Sequence, residues 1–283
     1  MMGDVEASFD RSWEHRSESH YNHWVRGKPQ NQIQFAFRRH WLTFQRYLEN
    51  LPGNSVLEVG CGRGTISSYF ADAGYRVTLL DSSPTAIDLA RSIYQANGHS
   101  ASFVVGDAFK LSFARDSFGI CVSIGLLEHF DDVAGLMREQ IRVLQPGGVM
   151  LAYVVPDQPE NVQQHFQWLN KSLGFLALRR EVSGQNRYKK EPLYRNGLST
   201  DAYRLELLRM GIDELETFGM YCLPMISHSP EFPFSLLPAP LERALVLGFS
   251  GVLGFRRVVL RRDPWRCRET LGQAFLVMAR KPK

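Results

Sequence analysis

The chain has 283 residues, of which 44% are hydrophobic, so it can form one large domain with insertions or one domain with a small lid. Its 33 basic and 29 acidic residues leave a net charge of +4, which is too small an excess to indicate a nucleic-acid partner by itself. The four cysteines form no CxxC pair, so we expect no metal site, and the absence of a long apolar run predicts a soluble cytoplasmic protein.

The first predicted element is an amphipathic helix before residue 50. Apolar side chains recur there at spacings of three and four, from Ile33 through Trp41 to Leu48. Pro52 follows and ends the pattern. We expect this helix to belong to a helical lid or cap formed by residues 1–50.

Strand-like and helix-like segments then alternate. Strands are predicted at SVLEV, RVTLL, SFVVGD, GICVSI and GVMLAYVV, with helices between them. Ser83 before Pro84 marks the start of one helix, and Gly98 marks its end. This alternation predicts an α/β fold with a doubly wound, mostly parallel sheet that helices cover on both faces.

Two insertions interrupt the second part of the chain, at about 157–197 and 223–268. The first combines a predicted helix with a polar, basic stretch, and the second is rich in proline and apolar residues. A helix at DAYRLELLRMG, a strand at LETFGMYC and a closing strand at AFLVMARK complete the domain. We therefore expect one domain over residues 51–283 with two helical insertions.

The second insertion combines an apolar stripe with basic residues. The stripe consists of Leu241, Leu245, Phe249, Val252 and Phe255, and arginines follow it. Packing into the core is the favoured interpretation of the stripe, and contact with a membrane surface or a partner subunit is the alternative. The basic excess indicates a segment that faces an anion.

A glycine-rich turn, VLEVGCGRGT, follows the first predicted strand. Gly60, Gly62 and Gly64 stand at alternate positions in it. In an open α/β sheet the ligand binds outside the carboxyl ends of the strands, and glycine lets the backbone approach that ligand. Tight turns between a strand and a helix also use glycine for purely structural reasons, so the turn alone is weak evidence for a nucleotide-type ligand.

Two aspartates strengthen the prediction of a nucleotide site. Asp81 ends the second strand, where its carboxylate can accept hydrogen bonds from both hydroxyls of a ribose; capping of the next helix is the alternative role. Asp107 follows the third strand, where it can meet the exocyclic amine of a base or serve as a turn residue. A dinucleotide fingerprint would place its third glycine at position 65, which is Thr65 here.

Several of these motifs together resemble the class I S-adenosylmethionine-dependent methyltransferases of the small-molecule type. The motifs are VLEVGCGRGT, LLDSS, VVGDAF, VSIGLLEHF and LQPGGVML, in the family's order and spacing, over about residues 51–156. The resemblance implies a Rossmann-like methyltransferase fold with a seven-stranded sheet, and S-adenosyl-L-methionine as the cofactor. The positions it assigns to the cofactor are Glu58, Gly60, Cys61, Gly62, Asp81, Ser82, Asp107, Ala108, Phe109, Ser123 and Ile124.

The reaction implied by the resemblance is methyl transfer to an oxygen or nitrogen of a small organic acceptor. In-line displacement depends mainly on positioning, and a base helps when the acceptor must lose a proton. His129, just after the fourth strand, is the candidate base, with His23 and Tyr21 of the amino-terminal segment as further candidates. Packing of that segment onto the domain through its aromatic residues is the alternative role. The carboxylates around His129 are expected to serve a helix dipole, so we predict no metal.

Other function classes remain as alternatives. The chain lacks the Asn- or Asp-Pro-Pro-aromatic tetrapeptide of amino-methylating DNA and protein enzymes and the Pro-Cys dipeptide of cytosine-C5 enzymes, which disfavours nucleic acid as the acceptor. An NAD-dependent oxidoreductase would use the same glycine turn and Asp81. A non-catalytic cofactor-binding protein on this fold is the other alternative, and the sequence leaves the oligomeric state open.

Overall fold

The computed structural model describes residues 23–158, 160–180, 194–228 and 236–283. Eight strands in this part of the chain form one sheet. They are β1 (Ser55–Val59), β2 (Arg76–Asp81), β3 (Ala101–Val105), β4 (Phe118–Ile124), β5 (Leu144–Val154), β6 (Leu215–Met220), β7 (Arg266–Cys267) and β8 (Ala274–Arg280). Their order across the sheet is β3-β2-β1-β4-β5-β8-β6-β7.

Helices cover both faces of this sheet. They are α1 (Gln32–Phe44), α2 (Thr65–Asp72), α3 (Pro84–Asn97), α4 (Val133–Val143), α5 (Gln167–Arg180), α6 (Thr200–Arg209) and α7 (Ala239–Val258). Successive residues of a strand point to opposite faces, so Val56 packs with α1, α2 and α3 while Leu57 packs with α4 and α6. The predicted doubly wound α/β fold is confirmed.

The parallel half of the sheet brings its strand ends together. Strands β1 to β5 are parallel neighbours, with Asp81 beside Val105 and Ile124 beside Tyr153 at their carboxyl ends. Strand β8 runs antiparallel to both β5 and β6. The predicted binding residues after β1, β2, β3 and β4 therefore lie along one edge of the sheet.

The strand count differs from the predicted seven. The extra strand, β7, has two residues and pairs antiparallel with the end of β6 inside the second insertion. A two-residue strand is too short to produce an alternating pattern in the sequence. The same insertion contains the 20-residue helix α7, as expected of a helical insertion.

The amino-terminal helix α1 packs on α2, one of the helices that cover the sheet. The ring of Trp41 meets the ring of Phe70 edge-on, with centroids 4.8 Å apart. Gln32 of α1 is also bonded to the second insertion, because its amide donates to the Ile226 carbonyl over 2.9 Å and accepts from the Ile226 N–H over 2.8 Å. A boundary between a lid and the main domain at residue 50 stays a prediction.

Two more side-chain amides hold the same apolar segment of the second insertion. Gln163 exchanges hydrogen bonds with both backbone groups of Met225, over 2.7 and 3.0 Å. Asn170 donates to the Met225 carbonyl over 2.9 Å and accepts from the Ser227 N–H over 3.1 Å. Residues 225–227 are thus tied by side-chain amides from α1, from α5 and from the turn before α5.

Gly64 begins α2 at a crowded point of the fold. Its φ is +64°, in the left-handed region that favours glycine. A Cβ at this position would lie 2.8 Å from Cδ1 of Leu79 and 2.9 Å from Cε2 of Tyr94. The Tyr94 hydroxyl also donates to the Gly64 carbonyl over 3.1 Å. Gly64 therefore lets β2, α2 and α3 approach one another.

Gly64→Ala is expected to lower the free energy of unfolding more than Gly98→Ala does. Both glycines have positive φ, which costs alanine about 1–2 kcal/mol, but a Cβ at Gly98 meets nothing within 4 Å. The contact with Leu79 and Tyr94 adds about 1–3 kcal/mol at Gly64. Urea unfolding of the two variants measures the difference. Equal losses of unfolding free energy would show that Leu79 and Tyr94 move aside for the new Cβ at little cost.

Candidate active site

Asp81 ties the glycine turn to the end of β2. Its Oδ2 accepts from the Gly62 N–H over 2.8 Å, and its Oδ1 accepts from the Ser83 N–H over 3.0 Å. The helix α3 is capped by Ser83, whose hydroxyl accepts from the Ala86 N–H, so Asp81 is not the helix cap. A carboxylate oxygen has more than one lone pair, so these two bonds do not by themselves exclude contact with a ligand at this edge.

The three glycines of the turn all have positive φ, of 66°, 49° and 64°. A Cβ at Gly60 would lie 2.7 Å from Cδ1 of Leu126, on the loop after β4. Gly60 and Gly64 therefore also lack side chains because of protein packing, in addition to the predicted approach of a cofactor. The sequence pattern does not separate these two reasons.

Glu58 is a buried acid near the carboxyl end of β1, just before the glycine turn. Only 2% of its surface is exposed, and its Oε2 has no hydrogen-bond partner in the described part of the chain. Burial raises the pKa of Glu58 to about 8, with Asp81 adding to the rise and hydrogen bonds from Ser67 opposing it. A buried carboxylate oxygen without a hydrogen-bond partner is expected to bind a cation or a hydrogen-bond donor.

The loop after β3 places Asp107 at the surface. Its Oδ1 accepts from the Phe109 N–H over 2.8 Å, which is the turn role considered as the alternative. Ala108 and Phe109 are half-buried beside it, and Ser82 is exposed at the end of β2. The assignment of these residues to an adenine stays a prediction.

The end of β4 contributes a second unpartnered polar group. Ser123 is 1% exposed, and its hydroxyl has no hydrogen-bond partner among the residues described. Ile124 follows it and is half-buried, and the next N–H, of Gly125, donates to the Tyr153 carbonyl over 2.8 Å. Ser123 therefore lies at the same sheet edge as Glu58 with its hydrogen-bonding capacity unused.

The loop after β4 forms a 3₁₀-helix, Leu127–His129, that holds two buried titratable groups together. The Nδ1 of His129 lies 2.6 Å from the Tyr194 carbonyl, which only accepts, so Nδ1 carries the proton and Nε2 is the basic nitrogen. That Nε2 lies 3.9 Å from Oε1 of Glu128. Burial raises the pKa of Glu128 to about 7, and its Oε2 has no hydrogen-bond partner in the described ranges.

Asn196 locks the first insertion onto this loop. Its N–H donates to the Glu128 carbonyl over 2.6 Å, and its side-chain amide donates to the carbonyls of Leu127 and Phe130 over 3.2 and 2.7 Å. Sequence reasoning missed Asn196, and it assigned the carboxylates around His129, Glu128 among them, to a helix dipole. One asparagine in a polar stretch carries no local signal of such contacts.

The described part of the amino-terminal segment makes aromatic contacts with the domain. His23 stacks on Phe37 of α1, with ring centroids 6.3 Å apart, and Trp24 meets His99 edge-on at 4.5 Å. These contacts fit the alternative role of the segment, packing through its aromatic residues. Tyr21 lies outside the described residues, and a catalytic role for His23 stays a prediction.

Neither a metal-binding cluster nor a membrane-spanning helix is present among the described residues. None of their histidines, cysteines, aspartates and glutamates come together in a group of three or more that could hold a metal ion. None of their helices has the length and hydrophobicity needed to cross a membrane.

The comparison with protein families identifies the parallel half of the sheet. Residues 57–152, from β1 into β5, match the family described as a methyltransferase domain. The chain carries a class I S-adenosylmethionine-dependent methyltransferase domain. The resemblance drawn from the sequence motifs is confirmed, and S-adenosyl-L-methionine is the cofactor of such a domain.

Curated relatives align with this methyltransferase domain and little beyond it. A 2-methyl-6-phytyl-1,4-hydroquinone methyltransferase of Synechocystis is 38% identical over 101 residues, 35% of this chain and 31% of the relative. A ubiquinone biosynthesis O-methyltransferase of Methylocella silvestris is 34% identical over 117 residues, 41% and 46% of the two chains. A malonyl-[acyl-carrier protein] O-methyltransferase of Serratia marcescens is 35% identical over 100 residues, 35% and 38%. The matches span less than half of each relative.

Solved structures share the fold over nearly the whole chain. A Haloferax volcanii chain solved with the Trm112 methyltransferase activator is 22% identical with a TM-score of 0.56, over 99% of this chain and 98% of that one. The [4+2]-cyclase SpnF is 17% identical with a TM-score of 0.53, over 99% and 94%. At these identities the likeness concerns the fold alone, and one of the two is a cyclase by its description.

Glu58→Gln is expected to flatten the pH dependence of stability. The raised pKa means that folded Glu58 stays protonated up to about pH 8, whereas unfolded Glu58 ionises near its ordinary value of 4.5. The free energy of unfolding thus falls as pH rises through this range, by at most about 1.4 kcal/mol per pH unit from this group. Urea unfolding at several pH values measures the slope. An unchanged slope in Glu58→Gln would contradict the burial of a protonated acid.

Proposed function

We propose that this protein binds S-adenosyl-L-methionine at the edge formed by β1, β2, β3 and β4 and transfers its methyl group to an oxygen of a small organic acceptor. One observation carries the proposal. The carboxylate of Asp81 is fixed by the glycine turn itself, 2.8 Å from the Gly62 N–H, beside the buried Glu58, whose Oε2 has no hydrogen-bond partner among the described residues. This pairing of a glycine turn with two acids suits an adenosine that carries a positive charge.

The charge of the site favours this cofactor over a dinucleotide. Asp81 is close enough to Glu58 to raise its pKa by charge repulsion. The pyrophosphate of NAD would bring negative charge next to Asp81 and would oppose ionisation of Glu58 further, whereas a sulfonium and an amino group would favour the ionised form of Glu58. The NAD-dependent oxidoreductase is therefore the weaker alternative.

The cofactor-binding roles follow from the positions of the side chains. Asp81 would accept hydrogen bonds from the two ribose hydroxyls. Glu58 Oε2 and the Ser123 hydroxyl, both buried and without a partner among the described residues, would hold the amino-acid part of the cofactor, next to Gly60 and Ile124. Ser82 and the turn at residues 107–109 would lie on either side of the adenine. Gly62 and Cys61 supply the backbone that shapes the floor of the site.

The bound cofactor supplies a methyl carbon activated by a positive sulfur. The protein then has to hold the acceptor in line with that carbon and keep water away. An acceptor hydroxyl must also lose its proton as the new oxygen-carbon bond forms. His129 Nε2, with Glu128 3.9 Å away, is the candidate proton acceptor, and Glu128 would stabilise the imidazolium that results.

Oxygen is favoured over nitrogen as the atom methylated. Two of the relatives with 34% and 35% identity are O-methyltransferases by name, of ubiquinone biosynthesis and of a malonyl carrier protein. A third relative is named as a hydroquinone methyltransferase, a name that does not give the atom methylated. A non-catalytic role on this fold remains the second candidate, and it would show as cofactor binding without turnover.

Asp81→Asn is expected to weaken S-adenosylmethionine binding by more than about tenfold, because charge-assisted hydrogen bonds to the ribose hydroxyls are lost. Isothermal titration calorimetry measures the dissociation constant, and Asp88→Asn, at an exposed position of α3, is the matched control. Thermal unfolding of both variants reports any structural loss. An unchanged affinity in Asp81→Asn would exclude the ribose assignment.

Transfer itself is tested by incubating the protein with methyl-labelled S-adenosylmethionine and a fractionated small-molecule extract, and then identifying the labelled product. With that acceptor, His129→Gln is expected to lower the single-turnover rate by about 10²–10⁴-fold and to alter the rise in rate near neutral pH. His165→Gln, at an exposed position, is the control. If His129→Gln retains the full rate and pH profile, His129 is not the base.

A further inference from the structure

Helix α7 has an apolar face that turns away from the protein. Its side chains toward the core are Glu242, Val246 and Leu253. We call the opposite side the outer face; it consists of Leu241, Leu247, Val252, Phe255 and Val258, which are exposed by 53, 73, 48, 55 and 75%. Core packing, the favoured interpretation of the stripe in the sequence, is therefore wrong for Leu241, Val252 and Phe255.

The apolar surface continues past the end of the helix. Val259 and Leu260 are exposed by 59 and 47%. The chain then turns at Arg261, whose φ is +49°, and the Arg262 N–H donates back to the Arg256 carbonyl over 3.1 Å. This turn ends the helix, and it brings basic residues to its carboxyl terminus, where positive charge is favourable.

The charges that flank the outer face all have one sign. Every charged residue from 243 to 262 is an arginine: Arg243, Arg256, Arg257, Arg261 and Arg262. None of the five forms an ion pair within the described ranges of the chain. Arg257 is also close enough to Arg39 of α1 to lower its pKa, after the larger effect of burial. The rim of the outer face thus carries uncompensated positive charge.

A basic cleft opens at the carboxyl-terminal end of α7. It has a volume of about 540 Å³, and its arginines are Arg256, Arg262, Arg266 and Arg268. Its acid, Asp263, is already taken by an ion pair with Arg46 and by two backbone N–H groups. The Nε of Arg256 is buried and has no hydrogen-bond partner among the residues described. Arg266 forms an ion pair with Glu216, so the excess positive charge of the cleft comes from Arg256, Arg262 and Arg268. The cleft is therefore suited to an anion.

We propose that the outer face of α7 is a docking surface for an anionic lipid bilayer, with the basic cleft receiving a lipid phosphate. An apolar helix face rimmed by basic residues is the pattern by which helices lie in the plane of a membrane interface. Each arginine near an anionic leaflet adds to the attraction. The inference concerns attachment and does not depend on the proposed methyl transfer.

Charge decides between a bilayer and a second copy of this chain. In a symmetric dimer through the outer face, the same arginine rim would face itself, because a two-fold contact brings identical surfaces together. The apolar contact would then be opposed by like charges. An anionic membrane satisfies the apolar face and the arginines at once.

Vesicle flotation tests the proposal with the full chain and no cofactor. The protein is expected to float with vesicles of phosphatidylcholine containing about 30 mol% phosphatidylglycerol, to float at least about tenfold less with phosphatidylcholine alone, and to be released by salt. Equal binding to both vesicles, or none to the anionic ones, would overturn the proposal.

Paired substitutions locate the surface. Leu247→Gln with Val258→Gln is expected to reduce anionic-vesicle binding by about tenfold or more, since two inserted apolar side chains are lost. The control, Leu205→Gln with Leu208→Gln, changes two exposed leucines of α6 and should bind as the parent does. Both pairs are at the surface, so their unfolding midpoints should match the parent's.

Light scattering addresses the competing occupant. A concentration-dependent dimer that Leu247→Gln with Val258→Gln abolishes would assign the outer face to a second copy and overturn the proposal. Arg261→Gln with Arg262→Gln should weaken binding to anionic vesicles and make it less sensitive to salt. Unchanged binding and salt dependence in that pair would also count against it.

Discussion

The arrangement of the site depends on the two backbone amides that bond to Asp81. The Gly62 N–H belongs to the turn after β1 and the Ser83 N–H to the turn after β2, and one carboxylate accepts both. The two turns are thereby held in register with each other, beyond the register that the strands impose. The acid that would bind the ribose is also the side chain that shapes the turn around it, so binding and local structure cannot be separated at this position.

Burial of acids gives this edge of the sheet its chemical character. Glu58 and Glu128 are both almost fully buried with one carboxylate oxygen unpartnered in the described chain, and burial raises the pKa of each. Such groups cost stability when nothing positive is near them. A cationic ligand lowers that cost, so occupancy and stability should rise together.

The parallel half of the molecule could be predicted because its signals are local. Strand periodicity, the Ser83 cap and the glycine turn each reflect contacts within a few residues, and they identified the fold, the sheet edge and the position of Asp81. The second insertion could not be predicted in this way. Its helix α7 is apolar on two sides, so periodicity does not separate the face packed on Val246 from the face at Leu247. Asn196 and Glu128 were missed because their roles arise from residues far apart in sequence.

The three side-chain amides that hold residues 225–227 have a consequence for how this protein can change. Gln32, Gln163 and Asn170 each present both a donor and an acceptor, so together they replace the neighbouring strand that this backbone lacks. Side-chain hydrogen bonds hold the segment at a few points, in place of the continuous backbone hydrogen bonds between neighbouring strands. The chain beyond those points can therefore change in length or composition while the sheet keeps its register. The surface above the sheet can then vary with the acceptor.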